Sequence, residues 1–303
     1  MPFLNLIRWQ NILLIVFAQV LIKYVLFPSL NASITLNGIQ FTLLVISTIA
    51  LAAAGNIIND IFDVNADRIN KPDKLIIGRY ISEKAGLTLF ITFNSIGILL
   101  GFYLSHTIGK RGFFTVFVCI SIVLYLYSSF LKGIPILGNI VVSCLVAFSL
   151  LIVGIFDVLP AITTQNKLIQ LEVIKLVSGY SGLAFILNLI REIIKDIEDI
   201  NGDYASGIST LPILIGRNRT AKLTSILTCI PLSLILYYVI MELYKQPFAV
   251  VYYTFLIIGP LIYIIIQLFS AKSKKEFHQL SSTLKLVMLF GLLSLYINSL
   301  TLY

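Results

Sequence analysis

Apolar residues gather along this chain into runs of about twenty, separated by short polar stretches. The runs cover roughly residues 11–28, 41–62, 86–105, 113–131, 136–157, 174–194, 221–241, 249–270 and 284–302. Each is long enough to cross the hydrocarbon core as a helix. Barrel strands would be about ten residues long with alternating polarity, and that pattern is absent. The expectation is an all-α, polytopic membrane protein of about nine transmembrane helices, one integral-membrane domain over residues 1–303. The opening MPFLNLIRWQN lacks a charged leader and a small-residue cleavage site ahead of position 30, so the first run reads as a retained span.

Polar residues interrupt the pattern in two places. At the end of the second run, Asn56, Asp60, Asp63 and Asp67 are spaced by four, three and four residues. On a helix they share a face within an arc of roughly 60°. Beyond the sixth run, Asp196, Asp199 and Asp203 repeat the spacing, each offset by 136 from Asp60, Asp63 and Asp67. An even number of crossings separates the two stretches, which makes the halves parallel pseudo-repeats. The loops that follow, about 63–84 and 199–220, are long enough to fold as short helices over the membrane face.

Composition agrees with a membrane setting. The chain is 58% hydrophobic and only 12% charged, against about a quarter charged in soluble domains. Its net charge of +8 reflects loop orientation and contact with anionic membrane lipid. Nucleic acid is not an expected partner, because no soluble basic domain exists to bind it. Lys and Arg concentrate on one side: Arg8, Arg68, Lys71, Lys74, Arg79, Lys84, Lys132, Lys195, Arg217, Arg219, Lys222, Lys272, Lys274 and Lys275. That bias puts the N-terminus and both acidic loops on the cytoplasmic face of the cell membrane. Cys119, Cys144 and Cys229 lack metal or disulfide spacing and read as buried packing thiols. His106 and His278 are solitary in sequence.

Clustered carboxylates at membrane depth are costly and need cations. Asp and Asn oxygens are hard ligands suited to Mg²⁺, which keeps some waters and recruits phosphates. Two acidic helix ends facing each other would hold Mg²⁺ around a diphosphate, with nearby Lys and Arg on the phosphate oxygens. If the diphosphate carries an allylic chain, its departure leaves a stabilised carbocation for a nucleophile, and the apolar span shields that cation from water.

At this point the stretches NDIFDVNADRINKPDK (Asn59–Lys74) and KDIEDINGD (Lys195–Asp203) resemble the two aspartate-rich motifs of the UbiA superfamily of membrane prenyltransferases. Arg8 with Asn11, YSSFLK at Tyr127–Lys132, Gly138–Asn139 and STLPI at Ser209–Ile213 support the likeness. The resemblance implies a nine-helix bundle around a central cavity with a lateral opening to lipid. It implies Mg²⁺–diphosphate binding by Asn56, Asp60, Asp63 and Asp67 from one side and by Asp196, Asp199 and Asp203 from the other. These six aspartates would be the catalytic set. Substrate contacts would come from Asn59, Arg68, Lys132, Arg8, Asn11 and Tyr127. DRINKPD followed by GRYIS is most similar to the branch that prenylates geranylgeranylglyceryl phosphate, which implies a prenyl diphosphate donor and an ether-lipid product. Lys71, Lys74, Arg79, Arg191 and Lys195 would then be available to the acceptor's phosphate.

Alternatives stay open on sequence. The acceptor is either a glycerol-phosphate lipid or an aromatic quinone precursor, and an ion-coupled transporter would also place acids in a membrane. Arg191 and Lys195 would pair equally well with Glu192, Asp196 or Asp199 along their helix. Lys132 at a helix end would equally well snorkel to the interface.

Overall fold

The computed structural model describes residues 2–299, without the Lys74 side chain. The last residues of the final apolar run and the expected phosphate contact from Lys74 lie outside the described residues. Among those described, nine helices are long and apolar enough to cross a membrane. They are α1 (Trp9–Ser29), α2 (Gly38–Phe62), α3 (Glu83–Thr107), α4 (Arg111–Ser129), α5 (Leu137–Ala161), α6 (Lys167–Ala205), α7 (Arg217–Glu242), α8 (Pro247–Ser270) and α9 (Lys274–Ser299).

Helix starts follow local chemistry. Asn37 caps α2 by accepting from the Gln40 N–H, and Gln40 returns a bond to the Asn37 N–H. Ser82 caps α3 through the Ala85 N–H. The largest departure from expectation is α6, which continues to Ala205, well past the apolar run that ended near 194. Acids spaced by three and four are compatible with a helix, so the change of polarity does not end it. At 1.5 Å per residue its 39 residues span about 58 Å, more than the roughly 30 Å hydrocarbon core. Both motif loops carry short helices, Val64–Asn70 and Leu211–Ile215.

Two apolar cores flank a central space. One joins α6, α7, α8 and α9 around Ile190, Ile194, Leu261 and Leu284. The other joins α1, α2, α4 and α5 around Ile22, Leu44, Phe117 and Phe156. Helix α3 packs closely on α2 and α4 through a small-residue stripe of the kind membrane helices use. A Cβ on Gly97 would come within 2.7 Å of Leu51, and one on Gly101 within 2.3 Å of the Phe117 ring. The Ser47 hydroxyl donates to the Gly97 carbonyl across this contact at 2.6 Å.

Away from the motif end, π-helical turns at Ile22–Leu26 and Gly154–Val158 carry Lys23 and Asp157. Both side chains are buried and pair at 2.5 Å. Asp157 also accepts the Thr35 and Leu36 N–H groups at 2.9 and 2.8 Å, and Lys23 donates to the Leu36 carbonyl at 2.7 Å. The pair therefore pins the α1–α2 connection to α5.

One sequence expectation needs correction. Cys119, Cys144 and Cys229 are exposed, not buried, and do not line the central cavity. In a membrane span an apolar position can face lipid as readily as the core, so the burial rule of soluble proteins misleads. His278, solitary in sequence, lies 3.1 Å from the Glu198 carboxylate.

Candidate active site

The cavity between the two cores has a volume of about 1250 Å³. Its polar end is built from α2, the Val64–Asn70 helix and α6. Helix α2 ends at Asp63, whose φ of −89° and ψ of −1° interrupt the regular helix for one residue. The Asp63 N–H still bonds to the Asn59 carbonyl and the Asp67 N–H to the Asp63 carbonyl. The turn therefore keeps helical register, and Asn56, Asp60, Asp63 and Asp67 all line the cavity. Asp196, Asp199 and Asp203 line it from α6.

Asn70 joins the two acidic segments. Its amide donates to the Asp199 carbonyl at 2.8 Å and accepts from the Gly202 N–H at 2.9 Å. This contact brings the ends of α2 and α6 to the same side of the bundle, so the two helices run parallel. Lys274 at the start of α9 donates to the Asn70 carbonyl at 2.6 Å.

Most of the carboxylates meet a cation or an amide. Arg8 bonds Asp60 at 2.9 Å, Lys71 bonds Asp199 at 2.5 Å, and Lys132 pairs with Asp63. Asn139 of α5 donates to Asp196 at 2.7 Å, and Asn59 donates to Asp63 at 2.7 Å. Burial works against the Lys132 ammonium, but Asp63 outweighs it and holds the amine protonated above its usual range. Lys71 is likewise held up despite burial, chiefly by Asp199, and Arg8 by Asp60. Asp67 is raised above the ordinary aspartate value by burial first and by Asp63 next.

Among the described residues no three carboxylates converge into a closed metal cage. The donors are spread over two walls, and the Asn59 side-chain amide oxygen and one Asp199 carboxylate oxygen are buried without a hydrogen-bond partner, the latter 3.9 Å from the Lys274 ammonium. Such a set fits an ion that keeps water and shares phosphate oxygens, as Mg²⁺ does.

The other expected residues are also placed. Asn11, Tyr127, Arg191 and Lys195 line the cavity. Arg191 and Lys195 both pair with Glu192, at 2.9 and 2.8 Å, so the helix-pairing alternative holds while both still face the cavity. Arg68 is exposed on the short helix and does not line the cavity; the same is true of Arg79, which stacks over Tyr80. The bonds of Asn70 and Asn139 were not foreseen, although both sit in the quoted motifs. Farther in, the walls are apolar, with Leu51, Phe117 and Leu124 opposite Leu183, Leu187 and Met288.

Comparison with known proteins agrees with this architecture. The model of the UbiA prenyltransferase family matches residues 16–298. The digeranylgeranylglyceryl phosphate synthase of Methanosphaera stadtmanae is 30% identical over 99% of this chain and 99% of its own length. The apo structure of a UbiA homolog from Aeropyrum pernix K1 superposes with a TM-score of 0.67, at 15% identity, over 94% of this chain and 98% of that one. A UbiA homolog from Archaeoglobus fulgidus, solved bound to DMAPP and Mg²⁺, gives 0.57 at 17% identity, covering 98% of this chain and 99% of that one. With paired acidic helix ends over an apolar cavity and a family match across almost its whole length, this multi-pass membrane protein belongs to the UbiA prenyltransferase family.

Proposed function

We infer that the chain transfers a geranylgeranyl group from its diphosphate to the free hydroxyl of a prenylglyceryl phosphate, forming an ether lipid. The observation that carries the prenyl transfer is the facing of Asp60, Asp63 and Asp67 with Asp196, Asp199 and Asp203 across a cavity with apolar inner walls. The acceptor is carried by the full-length likeness to the Methanosphaera stadtmanae enzyme.

Mg²⁺, held by Asn56 and the six aspartates, would supply positive charge to the leaving diphosphate, as the ion accompanies DMAPP in the Archaeoglobus fulgidus homolog. Lys132, Lys71 and Arg8 are already fixed by carboxylates at the rim, so their ammonium and guanidinium groups meet phosphate oxygens with little reorganisation. The C1–O bond of the donor breaks and diphosphate departs with the electron pair. The apolar walls keep water from the allylic cation. The acceptor hydroxyl forms the new C–O bond and then loses its proton, which alkylation has made acidic. No strong base is needed. The acidic rim faces the cytoplasm in this reading, in line with the Lys and Arg bias of its loops.

The test is a Mg²⁺-dependent assay of purified protein with geranylgeranyl diphosphate, offering geranylgeranylglyceryl phosphate and 4-hydroxybenzoate in parallel. A diether phosphate read by mass is expected. An aromatic product would replace the acceptor assignment while leaving prenyl transfer in place. In the same assay Asp60→Asn and Asp196→Asn abolish turnover in folded, membrane-inserted protein. Full activity in both would remove the metal assignment.

A further inference from the structure

Between Tyr180 and Arg191 the α6 wall of the cavity carries a single polar side chain among the described residues, Asn188. Its neighbours on that wall toward the interior, Leu187, Ala184 and Leu183, are apolar. Asn188 is only 4% exposed, yet it lines the cavity. Its amide nitrogen donates to the Ser143 hydroxyl of α5 at 3.2 Å. Ser143 donates in turn to the Asn139 carbonyl at 2.6 Å, and the Asn139 amide donates to Asp196 at 2.7 Å.

The carbonyl of Asn139 fixes the direction of this chain. A carbonyl can only accept, so the one Ser143 hydroxyl hydrogen is committed to it, and the Ser143 oxygen is left to accept from Asn188. The Asn188 amide therefore turns its nitrogen to α5 and cannot exchange its two ends. Among the described residues no donor reaches the Asn188 side-chain oxygen, and neighbouring atoms do not seal it off. It opens on the cavity as an oriented acceptor, a costly place for a bare amide oxygen unless something donates to it.

Asn188 also stands at the reacting level. It lies eight residues from Asp196 along α6, or about 12 Å at 1.5 Å per residue. A carboxylate side chain and the diphosphate bound at it take up most of that span, which brings C1 of the donor level with Asn188. An ionised diphosphate or phosphate has no hydrogen to give. The acceptor hydroxyl has one.

We propose that the Asn188 side-chain oxygen accepts the hydrogen of the acceptor hydroxyl and aims the hydroxyl oxygen at C1, with Ser143 holding the amide in that orientation. This rests on the acceptor reading above and adds to it the group that orients the nucleophile. As the C1–O bond breaks and diphosphate leaves with its electron pair, the hydroxyl oxygen gives a pair of its own to C1. Asn188 holds the hydrogen without taking it, and the proton departs with the diphosphate. A hydroxyl held in this way reaches the allylic cation before water does. Because Asn139, one turn from Ser143 on α5, holds Asp196, a single network positions the leaving-group end and the nucleophile.

The experiment gives unaltered protein, Asn188→Leu and Ser143→Ala geranylgeranyl diphosphate, geranylgeranylglyceryl phosphate and Mg²⁺ in neutral detergent. Ether, geranylgeraniol and diphosphate are measured in each. Asn188→Leu is close in size but has no acceptor. Its kcat for the ether is expected to fall about tenfold to a hundredfold, with diphosphate release falling less and the difference appearing as geranylgeraniol. Ser143→Ala leaves Asn188 in place but unheld, and should shift the products the same way by a smaller factor. An unchanged ether-to-alcohol ratio in folded Asn188→Leu, or in Ser143→Ala where that variant alone folds, would overturn the assignment. So would ether and diphosphate falling together with no alcohol formed, the result expected if Asn188 only ties α6 to α5. If the unaltered protein makes no ether from this acceptor, the acceptor reading itself falls and this assignment with it. Mg²⁺-dependent release of diphosphate from the donor would then still mark a prenyltransferase.

Discussion

Asn70 and Gly202 meet so closely that no side chain fits between them. The Asn70 amide oxygen accepts the Gly202 N–H at 2.9 Å, and a Cβ built on Gly202 would stand 2.4 Å from the Asn70 side chain. Asn70 is short and cannot move aside while keeping this bond and its bond to the Asp199 carbonyl. Gly202→Ala therefore releases the clip between the two acidic segments. Losing two hydrogen bonds costs about 1–3 kcal/mol, and about 1.4 kcal/mol is tenfold in an equilibrium. The Mg²⁺ concentration for half-maximal activity should rise about tenfold in this variant, measured by metal titration of initial rates. An unaltered midpoint would show that the clip does not set the spacing of the metal ligands.

Lys132 separates a working cation from a snorkelling one. It reaches inward to Asp63 instead of outward to the interface, and its ammonium lines the cavity. Removing a positioned donor from a developing negative charge typically costs about 10²–10³ in rate. Lys132→Met should lose that much kcat while the protein stays folded, whereas a merely interfacial lysine would lose little. Steady-state rates at saturating donor and acceptor decide between the two.

Metal removal should stop turnover without unfolding the protein. Asp60, Asp63 and Asp199 already have Arg8, Lys132 and Lys71 as partners, so no large carboxylate repulsion is uncovered when the ion leaves. EDTA should abolish activity, excess Mg²⁺ should restore it, and the melting temperature in detergent should barely move. The pH dependence follows from Asp67. Burial holds its pKa above the ordinary 3.8, so protons compete with the metal there at a higher pH than at an exposed aspartate. The Mg²⁺ requirement should therefore grow as pH falls, and a requirement independent of pH would count against Asp67 as a ligand.

Local periodicity explains what was legible in advance. Asn56 to Asp67 and Asp196 to Asp203 announce themselves because helical spacing puts chemically similar groups on one face of a single segment. All seven do line one cavity. The nine spans were readable for the same reason, since hydrophobic length is a property of one segment at a time. What escaped depends on residues distant in sequence. Asn139 has no partner until α5 packs against α6 and brings it to Asp196. Arg68 illustrates the reverse. It follows Asp67 directly, yet neighbours on a helix point about 100° apart, so the short helix that aims Asp67 inward turns Arg68 to the surface.

The Lys23–Asp157 pair gives the most direct test of the fold itself. The two residues are 134 apart in sequence and sit on π-helical turns of different spans. Neither lines the cavity, so the pair bears on stability and not on chemistry. Asp157→Asn leaves the Lys23 ammonium buried without a counter-charge, a loss of about 3–5 kcal/mol in comparable buried pairs. The double change Lys23→Met with Asp157→Leu removes both charges and should recover part of that loss. Recovery stays incomplete because Leu cannot accept the Leu36 N–H that the Asp157 carboxylate holds, which costs about 1–3 kcal/mol when left unpaired, whereas the Thr35 N–H keeps the backbone carbonyl of residue 157. Melting in detergent should rank the unaltered protein first, the double variant second and Asp157→Asn last, with similar activity per folded molecule in all three. A double variant less stable than Asp157→Asn would mean that the hydrogen bonds to the α1–α2 connection, and not the balance of charge, hold that end of the bundle together.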